Sequence, residues 1–230
     1  MRRLALTDDI LMKIEKPARY IGNEVNMVRK NPEAVKIRVA FAFPDVYEIG
    51  MSHLGIQILY HQFNLRNDVY CERVYSPWPD LHKIMKEQQI PLFALETQDP
   101  IKDFDFLCMT LQYELCYPNI LQILDLSGIP LKSADRTDHM PIVIGGGPCA
   151  YNPEPIADFF DIFYILCPYC LSPGELVFRS IQTFSAYLKY RFAFRCIIHE
   201  INPVRFKLCI FAIFQVIRLK SDPEIRHFFY

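Results

Sequence analysis

The sequence predicts an α/β fold built on a doubly wound, mainly parallel sheet. Three observations lead there. Between about residues 31 and 165, short apolar runs alternate with segments of helical periodicity. The runs are continuously apolar, as strands covered on both faces should be. The amphipathic segments between them have the length of crossover helices, which join parallel neighbours.

Each element follows in order. Thr7 precedes "DDILMKIEK", with apolar residues at 10, 11 and 14, so a short capped helix opens the chain. "KIRVAFAF" (36–43) is a strand run stopped by Pro44. Residues 50–64 carry apolar positions at 51, 54, 58 and 59, one helix face. "DVYCERVYS" predicts a strand around 69–75, and "PDLHKIMKEQQ" a short helix. "IPLFALE" (90–96) and "DFLCMTLQ" (105–112) predict two further strands. "ELCYPNILQILDLSG" is a helix closed by Gly128, with Pro118 tolerated in its first turns. "PIVIGGG" is a strand running into a turn, "PEPIADFF" a short helix, and "DIFYI" (161–165) a last strand. The pattern is that of a Rossmann-like or flavodoxin-like domain, in which ligands sit at the carboxyl ends of the strands.

Composition changes at residue 165. Residues 1–165 carry a net charge of −6 and seven of the eight glycines, whereas 166–230 carry +5 and only Gly174. Three segments result: a helical lead-in over 1–30, the α/β domain over 31–165, and a divergent tail over 166–230. The total charge of −1 gives no footprint for nucleic acid. The longest strongly apolar run, Leu208 to Ile217, is ten residues, too short for a membrane span. The first residues lack the pattern of a signal peptide, so a cytoplasmic chain is expected, with its eight cysteines as thiols or ligands. Cys108, Cys116 and Cys149 stand in apolar surroundings and read as buried fillers.

Three loops at strand ends could carry chemistry. In "FPDVYEIG", Asp45, Glu48 and Gly50 come together at a predicted helix start; the same residues also suit a capping loop and a turn. In "MTLQYE", Thr110 and Gln112 could hydrogen-bond a ligand or simply end a strand. Gly145-Gly146-Gly147 permits close approach to backbone. Pro148 follows it, so it is neither G-x-G-x-x-G nor a P-loop.

Taken together, "KPARYIGNE", "FPDVYEIGMSHLGIQILY", "CERVYSPWPDL", "PLFALETQDPIKDFDFL", "TLQYE" and "IVIGGGPCAYNPEPIADFFDIFYI" resemble the N-terminal region of a radical SAM protein family. That family carries a cobalamin-binding-type domain ahead of its iron–sulfur barrel. The resemblance covers roughly residues 1–165. It implies that Asp45, Tyr47, Gly50, Thr110, Gly145, Gly146 and Gly147 bind cofactor: Asp45 and Gly50 shape the first loop, Tyr47 faces the corrin, Thr110 contacts the nucleotide tail, and the glycines admit it. Cobalamin domains often use D-x-H-x-x-G, whose histidine coordinates cobalt. Here Tyr47 holds the histidine position, so the expectation is cobalamin without a histidine ligand, or a pocket that has lost it. His53 reads as a polar surface or capping group.

The iron–sulfur cluster and S-adenosylmethionine belong to the intact family. The C-x-x-x-C-x-x-C triad that holds such a cluster does not occur in this sequence. Cys167-Pro-Tyr-Cys170 alone is a redox dithiol, half a zinc site, or a chance pair. Only Gly174-Glu175 echoes the glycine–glutamate turn that leads the family into its barrel. The chain is therefore expected to be truncated before the barrel, with a frame-disrupted or replacement tail. A helical appendage over "GELVFRSIQTFSAYLKYRF" is the alternative. The leading expectation for function is a cobalamin-type domain without radical chemistry of its own. The others are a cofactor-free module that binds a protein partner, and a non-functional truncated product.

Overall fold

The computed structural model describes residues 4–165 and 175–178. Five parallel strands, β1 (Ile37–Phe43), β2 (Val69–Tyr75), β3 (Phe106–Thr110), β4 (Ile142–Gly146) and β5 (Ile162–Ile165), lie in the order β2-β1-β3-β4-β5. A short β6 (Glu175–Phe178) adds an antiparallel edge beside β5. The doubly wound α/β expectation is met. The helices are α1 (Asp8–Leu11), α2 (Tyr47–Ser52), α3 (Leu54–Asn64), α4 (Pro79–Gln88) and α5 (Tyr117–Leu126).

Strand alternation sorts the core onto two faces. Val39, Phe41, Phe43, Cys71, Phe106, Cys108 and Ile144 pack under Ile56, Tyr60 and Phe63 of α3. Ala40, Ala42, Val74, Leu107, Met109 and Val143 pack under Leu81 and Met85 of α4 and under Ile120, Ile123 and Leu124 of α5. From β1 the chain steps outward to β2 through α3. It then returns past β1 to β3 through α4 on the opposite face. Right-handed crossovers require this change of face when the direction of travel reverses. The reversal leaves a switch point between β1 and β3, where ligands sit in open α/β sheets.

Local signals explain the helix ends. Gly128, at φ +67°, closes α5: its N–H bonds Asp125 O at 3.1 Å and the Ile129 N–H bonds Leu124 O at 3.0 Å, the paired bonds of a left-handed helix cap. Pro118 sits in the first turn of α5, where its missing N–H costs nothing.

Three expectations are corrected. Residues 90–96 do not form a strand. Leu95 N–H makes one bond to Arg73 O at 2.9 Å along the β2 edge, and the chain then turns, with the Gln98 N–H bonded to Ala94 O. The turn brings Glu96 to Arg73 and Thr97 to Glu72, so side-chain carboxylates take the place of a ladder. The helix expected over 50–64 starts instead at Tyr47 and breaks at His53, whose extended backbone and Nδ1, accepting from Ile56 N–H at 3.3 Å, start α3 afresh. Glu175–Phe178 is a strand, not the start of a helix. The Cys167–Cys170 pair, Cys196, Cys209 and the apolar run from Leu208 lie outside the described residues, as does the rest of the tail.

The N-terminal segment is strapped along the domain. Ile10 and Ile14 enter the core beneath α4 and α5. Lys30 Nζ donates to the carbonyls of Asn64, Arg66 and Val69 beyond the end of α3. Between these anchors, Arg19 pairs with Glu48 at 2.7 Å.

Candidate functional site

The loops after β1, β3 and β4 meet at the carboxyl edge of the sheet. Asp45 follows β1. Its Oδ1 accepts from the adjacent Val46 N–H at 2.7 Å; this is not the expected helix cap, since the N-cap of α2 is Val46, without a side-chain cap. Its Oδ2 accepts from the Tyr113 hydroxyl, which comes from the loop after β3. This bond spans the β1/β3 switch point. The hydrogen bond to Asp45, with burial behind it, holds the Tyr113 phenol proton and pushes its pKa up to about 12. Asn119, in the first turn of α5, donates to Pro44 O at 3.0 Å and ties the same two loops.

Thr110 ends β3 opposite Gly146 on β4. It is buried, and its hydroxyl accepts from Gln112 Nε2 at 3.1 Å. Past the strand ends, Leu111 N–H bonds Gly146 O at 2.6 Å and Cys149 N–H bonds Leu111 O at 3.0 Å. The β3 and β4 loops are thereby zipped together by backbone.

Two of the three glycines are required by their surroundings. A Cβ on Gly145 would lie 3.0 Å from both Leu111 Cδ1 and Phe160 Cδ1. A Cβ on Gly147, at φ +120°, would lie 2.8 Å from Leu111 O. Gly146 alone has room, with Tyr164 at 3.7 Å or beyond. Gly50 is buried within α2 rather than at a helix start, and a Cβ there would lie 2.2 Å from the Tyr75 ring.

Tyr47 begins α2 on the other side of the β1 loop. Its hydroxyl donates to Glu24 Oε1 at 3.1 Å, and its ring meets Tyr75 edge-on at 5.5 Å. Burial, then Glu24, pushes its pKa up to about 12. The nearby imidazole of His53 is spent on capping α3 and on packing against Phe43.

The structure therefore brings Asp45, Thr110, Gly146 and Gly147 to one edge. It turns Gly50 and Gly145 into packing positions and ties Tyr47 to the N-terminal segment. Sequence reasoning missed Tyr113, Asn119 and Glu24. Tyr113 stood in the singled-out "TLQYE", but nothing in its spacing marked Asp45, sixty-eight positions earlier, as its acceptor.

Cobalamin fits this arrangement poorly. The tail would lie against Gly145 and Gly146, yet Gly145 is already covered by Leu111 and Phe160. The position that would offer cobalt an imidazole is a phenol bonded to a carboxylate. Among the described residues no group of three His, Cys, Asp or Glu side chains is placed to hold a metal. Cys108 and Cys116 are buried thiols, as expected of fillers; Cys149, expected to be buried too, is half-buried, and Cys71 is a further buried thiol. Burial pushes the Cys108 thiol up to about 12, away from nucleophilic use. No helix among the described residues is long and apolar enough to cross a membrane.

Residues 55–165 match the family model described as radical SAM proteins, N-terminal. The match supports a radical SAM N-terminal domain over that segment. An uncharacterized protein of Methanocaldococcus jannaschii is 30% identical over 128 residues, which are 55% of this chain and 23% of that protein. The chain thus spans less than a quarter of that relative's length. No solved structure matches.

Proposed function

We propose that this chain carries the N-terminal α/β domain of a radical SAM protein in a form that has given up the cobalamin-type site and serves as an interaction module. The observation that carries the reading is the closure of the carboxyl edge by the chain's own groups: Tyr113 on Asp45, Leu111 on Gly146, and Leu111 and Phe160 over Gly145. A ligand entering there would have to break these contacts first. Around the closed edge stand exposed apolar side chains, each within six residues of a strand end: Ile49, Trp78, Leu115 and Tyr151. These are the apolar groups that the loops offer to a protein partner. The reading concerns the N-terminal domain, and the cysteine triad that holds the family's cluster is not among these 230 residues.

The open side of Gly146, beside the Thr110 hydroxyl, favours a second reading: cobalamin held without a histidine ligand. Titration of the full chain with hydroxocobalamin, followed by visible absorbance and calorimetry, separates the two. No saturable binding up to about 100 μM is expected. Saturable binding that Gly146→Val abolishes overturns the interaction module and establishes the cofactor.

A further inference from the structure

Two carboxylates converge on one guanidinium beneath the N-terminal segment. Arg73 of β2 and Glu96 are both fully buried. Arg73 Nε donates to Glu96 Oε1 at 2.7 Å, and the Arg73 backbone N–H donates to Oε2 at 2.6 Å. The other end of the guanidinium faces the segment around residues 24–26. Nη1 donates to Asn26 Oδ1 at 3.1 Å, and Nη2 lies 3.6 Å from Glu24 Oε2. That approach is an ion pair without a hydrogen bond, since both atoms are buried and neither has a hydrogen-bond partner. The Glu24 side chain is 9% exposed, and its Oε1 accepts from Tyr47.

Among the described residues, the groups that touch the cluster do not supply a second cation. Tyr60 of α3 lies 4.3 Å beneath the guanidinium, and the Met51 thioether of α2 is 3.6 Å from Nη1. The Tyr75 hydroxyl is bonded to Met51, and Cys71 is a buried thiol. Glu72, the next residue on β2, has its own cation in Arg38 at 2.6 Å, which it shares with Asp99. With both acids ionised, the cluster holds one excess negative charge away from water, an arrangement that burial penalises.

We propose that the segment around Glu24 and Asn26 is a latch held by Arg73 and loosened by ionisation of Glu96, and that its opening uncovers Tyr47. With Glu96 protonated, the guanidinium charge is left for Glu24 and the latch is closed. With Glu96 ionised, the charge is already neutralised, and Glu24, nearest the surface, reaches water by a short swing. Tyr47 then loses its acceptor. Burial already pushes the Glu96 carboxyl up to about 7 against the pull of Arg73, so the change falls in the neutral range. The consequence for partner contact at α2 rests on the function proposed above, whereas the latch itself does not.

Hydrogen–deuterium exchange of the full chain tests it, with the Val28 amide, bonded to the Tyr60 hydroxyl at 2.7 Å, as reporter. Corrected for intrinsic rates, protection at Val28 is expected to fall about tenfold between roughly pH 6 and 8 in the wild type. It stays flat in Glu96→Gln. Glu24→Gln, at the surface end of the cluster, leaves the buried pair in place and is the control should Glu96→Gln not fold; it too gives a flat profile. Wild-type protection that does not change with pH, or that falls equally in Glu24→Gln, overturns the latch.

Discussion

The Tyr113 hydroxyl donates to the Asp45 carboxylate across the gap between the loops that leave β1 and β3. In an open α/β sheet this is the place a ligand would take. Here a side chain of the protein takes it, and the two loops become one surface.

Tyr113→Phe removes the donor and leaves half-buried Asp45 to water, at a cost of about 1 kcal/mol in urea unfolding. The pH dependence has a definite sign. The folded phenol keeps its proton to about pH 12 while the unfolded one loses it near 10.0, so the contribution is complete below 10.0 and is lost as pH rises through about 12. Spectrophotometric titration should show one late-ionising tyrosine fewer in the variant. An unchanged alkaline titration would rule the bond out.

The glycines of the carboxyl edge should respond unequally to alanine. Gly147→Ala forces a Cβ to 2.8 Å from Leu111 O at a positive φ, and Gly50→Ala drives one into the Tyr75 ring; about 1–3 kcal/mol or more is lost in each case. Gly146→Ala meets only ordinary contact and should stay within about 0.5 kcal/mol of wild type. Thermal melts of the three variants decide the ranking, and equal losses would refute it.

Arg73→Met leaves Glu96 buried without its cation and should cost about 3–5 kcal/mol. The double variant Arg73→Met with Glu96→Leu replaces the whole pair by apolar side chains and should recover a large part of that loss. A double variant no more stable than the single one would mean that the pair is not the reason for the loss.

Glu96 also sets a slope of stability against pH. Its folded pKa, raised by burial to about 7 from 4.5, means that the native state holds this proton more tightly than the unfolded chain does. The native state is therefore favoured below 4.5 and loses that advantage as pH rises to about 7. Burial raises Glu72 and Asp161 as well, with the same sign. Urea midpoints should fall between about pH 5 and 8 in the wild type, and fall less in Glu96→Gln. The same slope in both would remove Glu96 as its source.

Much of the fold was legible because it rests on local signals. Pro44 ends β1, Gly128 ends α5, and the apolar runs at 37–43, 106–110 and 142–144 are strands where the sequence puts them. Residues 90–96 were misread because "PLFALE" has the composition of a strand, while its path is decided by Glu96 and Thr97 turning toward Arg73 and Glu72. The site was half legible. Asp45, Thr110 and Gly146 do reach one edge. Gly50 and Gly145, however, read the same in sequence whether they admit a ligand or an aromatic ring of the protein itself.

By itself the sequence determined the class of fold, the positions of five parallel strands and the carboxyl-edge loops, because periodicity, proline and glycine act within a few residues. The tertiary structure alone decided whether those loops stand open, because that depends on contacts between residues far apart in the chain. Tyr113 meets Asp45, Tyr47 meets Glu24, and Arg73 takes two carboxylates from segments on either side of it. Such pairings are fixed by the winding of the sheet and the burial of charge, and no local pattern encodes them.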